Sequence, residues 1–219
     1  MYRTSDLRFT KSTERIPEIS SEKIGRLSIE RRIDISSKIE ILQTLTGYRW
    51  VGEASHDVSS TEPSAPTDEQ QAAMSLLDDM GLASHFDWLE RSGRYFSWVQ
   101  FAINQPMLDT FMDKNHSFSV IEEGAVYGYP ISSTLAFAGI IPKKTVRQKS
   151  VVEHYMFGVN SEKYYEREVE HAKRMWTHLC EIAPELTAEA HEAYEKIAKE
   201  IAISPPASSS GQGDGGVAP

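Results

Sequence analysis

Apolar residues recur along this chain in two periods, and the changes of period mark the expected elements. Between residues 21 and 45, Ile24, Leu27, Ile35, Ile39 and Leu42 fall at helical spacing, with Ser20 or Ser21 as a cap and Gly47 as a stop. Ile29, Ile33 and Ile35 also alternate, so a strand is the alternative reading there. Either way residues 24–45 present an apolar face that needs a partner: the rest of this chain, another protein or a second copy. Thr67 or Asp68 starts a helix from Glu69 to Asp79, with Met74, Leu77 and Met80 inward before Gly81. Ser84 opens a shorter helix through Phe86 and Leu89 to Gly93. The aromatic and β-branched run from Arg94 to Ile103 predicts a buried strand near Tyr95 to Gln100. Pro106 then starts a helix containing Met107, Leu108, Phe111 and Met112, and short strands are expected at Phe118 to Ile121 and Ala125 to Tyr127.

Toward the C-terminus, Val151 to Gly158 reads as a strand or turn. Asn160 or Ser161 caps a helix ending near Ile182, in which Tyr165, Val169, Ala172, Trp176 and Leu179 make one continuous stripe. Pro184 breaks it, and Thr187 caps a last helix to Ile203 with Ala190, Tyr194, Ile197 and Ile201 in a second stripe. Two such helices across a short turn predict an antiparallel hairpin. The expected fold is a single, mostly helical α+β domain over residues 68–203 with a few short strands. Residues 1–51 read as a mildly basic arm with one amphipathic segment. Residues 52–67, with two prolines and few large apolar groups, read as a flexible linker, and residues 204–219 as a disordered Pro/Ser/Gly tail.

The segment from Glu122 to Gly139 concentrates turn-forming and apolar residues more than any other. Gly128 before Tyr129-Pro130 predicts a turn, and Pro130 suits the first turn of a helix, where its missing N–H is not needed. Ser132, Ser133 and Thr134 then fall at that helix start, where free backbone N–H groups and hydroxyls suit a small anion. The commoner outcome is that such hydroxyls cap their own helix and the glycines only permit close packing. Gly128, Tyr129, Pro130, Ser132, Ser133 and Thr134 are therefore the expected contact surface. An enzyme would draw Glu123, Tyr127, Ser132 or Ser133 from the same place for acid–base work.

Gly128-Tyr129-Pro130-Ile131-Ser132-Ser133, with Glu123, Gly124 and Tyr127 before it and Phe137 after it, resembles an uncharacterised archaeal domain family. That family's signature is Gly-(Tyr/Phe)-Pro-x-Cys-Cys before an aromatic residue. Gly128, Tyr129 and Pro130 match it, whereas Ser132 and Ser133 stand where the two cysteines would be. The resemblance covers about residues 95–185 and implies no function; a member without those thiols would lack thiolate chemistry and soft-metal binding.

Composition narrows the function classes. The chain has 219 residues and is 40% hydrophobic, enough for a core. Its net charge of −9 is uneven: residues 1–50 carry ten Lys/Arg against seven Asp/Glu, which leaves the remainder strongly acidic. That body is a poor match for nucleic acid, and only Lys143, Lys144, Arg147 and Lys149 form a dense basic cluster. One cysteine, Cys180, excludes an intrachain disulfide framework. Thr134 to Pro142 is the longest apolar run and too short to cross a bilayer; with a polar, charged N-terminus it points to the cytoplasm. Glu168-x-x-His171 has the spacing used in di-iron bundles, yet no second pair accompanies it, so neither a metal nor a cofactor is expected. A binding or interaction protein is the preferred reading. An enzyme at Glu123, Tyr127, Ser132 and Ser133, and a nucleic-acid accessory protein using the basic arm and Lys143 to Lys149, are the rivals.

Overall fold

The computed structural model describes residues 19–113, 118–146, 150–156 and 159–203, and its centre is the strand β3 (Arg94–Ala102). The expected strand at Tyr95 to Gln100 lies within it. β1 (Val51–Ser59) and β2 (Ala83–Arg91) pair antiparallel on its two sides, giving the order β1-β3-β2. Val99 and Phe101 are wholly buried, which is why this aromatic and β-branched run takes the middle position. Ser92 and Gly93 both have positive φ and join β2 to β3 in a two-residue hairpin, setting Arg91 opposite Arg94.

Two expectations are corrected here. Residues 84–91 belong to a strand and Ser92-Gly93 to its turn, where a helix was expected, because the turn lets Phe86 and Leu89 pair against Val99 and Phe96. Residues 52–59 belong to β1 rather than to a linker. Their polar side chains are affordable because most of Ser55 to Ser59 lies on an outer edge, with a register shift between Ala54 and Asp57. Only the proline-bearing residues 60–67 lack a regular element.

Between residues 21 and 45 the chain is helical. Ser20 caps α1 (Ser21–Ile29), and Asp34 caps α2 (Ile35–Leu45) by accepting from the Ser37 N–H. Leu27, Ile39, Ile41 and Leu42 are wholly buried in the main core, together with residues of β1 and β3. The apolar face thus finds its partner within this chain. Residues 21–51 belong to the folded domain rather than to an arm; residues 1–18 and 204–219 lie outside the described residues.

α3 (Asp68–Asp79) opens with a capping box between Thr67 and Gln70. The buried Gln70 side chain then donates to the Ser55 carbonyl at 3.1 Å and to Ser97 Oγ at 3.0 Å, holding β1 to β3 where the ladder is interrupted. Asn104 caps α4 (Gln105–Met112), with Pro106 in its first turn as expected.

Residues 118–121 and 125–127 are not strands. Ser119 and Glu122 form a capping box, so the chain enters α5 (Val120–Val126) directly. After the Gly-Tyr-Pro turn comes α6 (Ile131–Phe137), followed by the short strand β4 (Lys143–Lys144). Residues 151–156 are likewise helical, forming α7 (Val151–Met156) behind Ser150, whose N–H and Oγ donate to Glu153 Oε2. Asn160 and Ser161 cap no helix; they form β5 (Asn160–Ser161), which pairs with β4. α8 (Tyr165–Ile182) and α9 (Pro184–Ile203) meet at Ala183. Tyr155 binds them together, stacking on Trp176 of α8 at 5.7 Å while its hydroxyl donates to the Ala190 carbonyl of α9 at 2.9 Å. The molecule is therefore a mostly helical α+β domain with small antiparallel sheets and a C-terminal helix hairpin.

A cavity behind the Gly-Tyr-Pro turn

α5 is too short to hold its own direction, and its end is fixed by backbone bonds. The Gly128 N–H donates to the Ala125 carbonyl at 3.1 Å and the Tyr129 N–H to the Gly124 carbonyl at 2.8 Å, the bond pair of a Schellman ending. Gly128 has φ +75°, and a Cβ on it would lie 2.1 Å from the Tyr48 carbonyl oxygen. No other residue type fits that position without moving backbone. A Cβ on Gly124 would lie 2.1 Å from Thr134 Oγ1, so α5 and α6 also meet at closest approach. Trp50 N–H donates to the Val126 carbonyl at 2.8 Å and ties this corner to the start of β1.

Where α2, β1, α5 and α6 converge they border a half-open cavity of about 540 Å³. Its polar wall comes from Glu40 of α2, Arg49 of the connection to β1, Glu53 of β1 and Glu123 of α5. Tyr127, Tyr129, Val120 and Phe137 supply the apolar surface, and Ser133 and Thr134 reach it from α6.

The polar wall is internally bonded over most of its extent. Arg49 is buried and ion-paired with Glu40, whose Oε2 also accepts from the Glu53 N–H at 3.1 Å. The Tyr127 hydroxyl donates to Glu53 Oε1 at 2.7 Å, and the Arg49 guanidinium lies 5.8 Å from the Tyr127 ring centroid. Tyr127 and Tyr129 stack at 6.2 Å. One atom stands outside this network. Ser133 is only 4% exposed and its Oγ has no hydrogen-bond partner; Arg49 Nη1 touches Glu40 but makes no aligned hydrogen bond.

Burial, then the neighbouring Glu53, raises the Tyr127 phenol well above its ordinary value. Burial also raises Tyr129, with the Arg49 guanidinium opposing. Both phenols therefore keep their protons near neutrality and act as donors and π surfaces. Tyr127 is not available as a base.

Of the residues singled out from sequence, Glu123, Tyr127, Tyr129, Ser133 and Thr134 line this cavity. Gly128, Pro130 and Ser132 line a second one of about 530 Å³ on the other side of the turn, with Arg167, Glu168 and His171. There the hydroxyl expected to serve an anion already has one. Ser132 Oγ donates to Glu168, which is 2% exposed and also accepts from the Ser161 N–H at 2.9 Å and Ser161 Oγ at 2.6 Å. Thr134 Oγ1 bonds back to the Pro130 carbonyl at 3.3 Å. Ser132 is thus committed to Glu168, whereas Ser133 has no partner and no base within hydrogen-bond reach.

Burial lowers the imidazole of His171 below its ordinary value. Among the described residues, no group of three or more His, Cys, Asp or Glu side chains is placed to hold a metal ion. Lys143 and Lys144 are exposed on β4, with their ammonium groups 5.7 Å and 4.4 Å from the ring centroids of Phe137 and Tyr165. Arg147 and Lys149 lie outside the described residues. No described helix is long and apolar enough to cross a membrane.

Sequence reasoning missed Glu40, Arg49 and Glu53. Arg49 carried a signal: a guanidinium between Tyr48 and Trp50, just after a helix stop, is set in an apolar stretch that forces it to find a buried carboxylate. Glu40 and Glu53 carried none, because their role depends on how α2 meets β1. No family model, no curated protein and no solved structure matches this chain.

Proposed function

We propose that this protein is a binding protein whose ligand, a small organic molecule, occupies the cavity behind the Gly-Tyr-Pro turn. The observation that carries this reading is a cavity of about 540 Å³ whose lining brings the rings of Tyr127, Tyr129 and Phe137 together with the charged side chains of Glu40, Arg49, Glu53 and Glu123. The cavity's volume lies in the range of small-molecule sites, and its few polar groups converge among apolar ones as such sites require. Catalysis at Glu123, Tyr127 and Ser133 is less well supported, since the serine has no base and the tyrosine is committed to Glu53. The exposed Phe137 and Ile140 leave room for a protein partner beside the cavity. A cytoplasmic location and the archaeal resemblance belong to the same reading.

A fragment screen followed by amide NMR tests it. Fragments that bind should shift the amides of Gly124, Tyr129, Ser133 and Thr134. Hits that map elsewhere, or none from a library of ordinary size, would refute the proposal.

A further inference from the structure

Val99 and Phe101 of β3 point into the main core, so Phe96, Trp98, Gln100 and Ala102 lie on the opposite face of the sheet. At one end of that face Val51 and Ala102 are buried with Leu108 of α4 and Val126 of α5. Toward the Ser92-Gly93 turn the register sets Val58, Phe96 and Leu89 side by side across all three strands, with Trp98 and Asp87 in the row before them and Arg94 and Arg91 in the row after. Val58 is 51% and Leu89 44% exposed, and none of Val58, Leu89, Phe96 and Trp98 belongs to a buried cluster or packs against one among the described residues. This half of the face is apolar and uncovered.

Its charges complement one another end to end. Arg91 and Arg94 are directly opposed in the ladder, both are exposed, and neither has a hydrogen-bond or ion-pair partner among the described residues, so each repels the other. Asp87 lies four residues before Arg91 on the same strand and on the same face; its Oδ1 accepts the Trp88 N–H at 2.8 Å, which leaves Oδ2 for a cation. A two-fold axis running across the strands at the Val58–Phe96–Leu89 row lays each strand antiparallel over its own counterpart in a second copy. Arg91 then faces Asp87 of the second copy, Arg94 faces the ring of its Trp98, and the three apolar residues meet themselves. An acidic partner of another kind would suit the arginines but set Asp87 against like charge, so the face fits a second copy of this chain best.

We propose that the uncovered half of this sheet face is the interface of a homodimer, held by the apolar row and by Arg91–Asp87 and Arg94–Trp98 pairs across the axis.

Sedimentation velocity on the full chain, from about 1 μM to about 1 mM, tests it. The mass should rise from that of one chain toward that of two. Arg91→Glu, at an exposed position, and Asp87→Arg should each weaken association at least about tenfold, because each brings two like-charged pairs together across the axis. Mixed in equal amounts, the two variants should associate as the wild type does, since every facing pair is again opposite in sign. A chain that stays monomeric throughout, or one that associates equally well with Arg91→Glu, would overturn the proposal. Circular dichroism checks that both variants keep the wild-type fold, and no recovery in a mixture of folded variants would likewise overturn it.

Discussion

Gly128 passes the Tyr48 carbonyl so closely that a methyl group on it would lie 2.1 Å from that oxygen. The turn that shapes the cavity is thus fixed by a missing side chain on one segment and a backbone group on another, far apart in sequence. Gly128→Ala adds a clash with backbone to a left-handed φ of +75°. It should destabilise the protein by at least about 2 kcal/mol in chemical denaturation, more than alanine costs at an ordinary turn glycine.

Gly124 and Thr134 make the matching contact between α5 and α6. Gly124→Ala should cost about 1–3 kcal/mol through overpacking. Thr134→Ala removes the two nearest atoms, so the double variant should be less destabilised than the sum of the single ones. Simple additivity in a double-mutant cycle would show that the contact does not limit the packing of these helices.

Glu168 receives three donors from Ser132 and Ser161 with almost no access to water. Glu168→Ala strands all three and should cost about 3 kcal/mol, a fall of roughly 6–12 °C in Tm for a chain of this size. Ser132→Ala removes one donor and should cost about 1 kcal/mol. Equal losses from the two variants in a thermal scan would mean that the carboxylate is not the centre of this cluster.

The alkaline limb of stability should carry a signature of Tyr155. Burial, then the charges of Asp34 and Glu189, pushes its phenol up from an ordinary 10 to about 12. Its folded value is the higher one, so its contribution is fully present below pH 10. The contribution is lost as pH rises from about 10 to about 12, where the unfolded chain has already released the proton. Denaturant midpoints should fall across that window in the wild type and fall less steeply in Tyr155→Phe. Parallel slopes would assign the alkaline loss to other groups.

The parts of the fold legible in the sequence were those set by local chemistry. Gly47 and Gly81 each follow a helix where the sequence placed a stop, and the stripes of α8 and α9 gave the C-terminal hairpin. α5 and α7 were legible and misread: Ser119 with Glu122, and Ser150 with Glu153, are capping pairs hidden in segments rich in β-branched and aromatic residues. β1 could not be read locally, because its polar residues acquire a strand's role only by pairing with β3. The candidate site divides in the same way. The turn and Ser133 stand out in the sequence, whereas Glu40, Arg49 and Glu53 join them only through the packing of α2 and β1 against α5 and α6.

A crystal soaked in a mixture of small aromatic fragments decides whether the cavity behind the Gly-Tyr-Pro turn is a binding site. Electron density for a fragment ring against Tyr127 and Tyr129 is the expected result. A cavity closed by its own side chains in soaked and unsoaked crystals alike would contradict it.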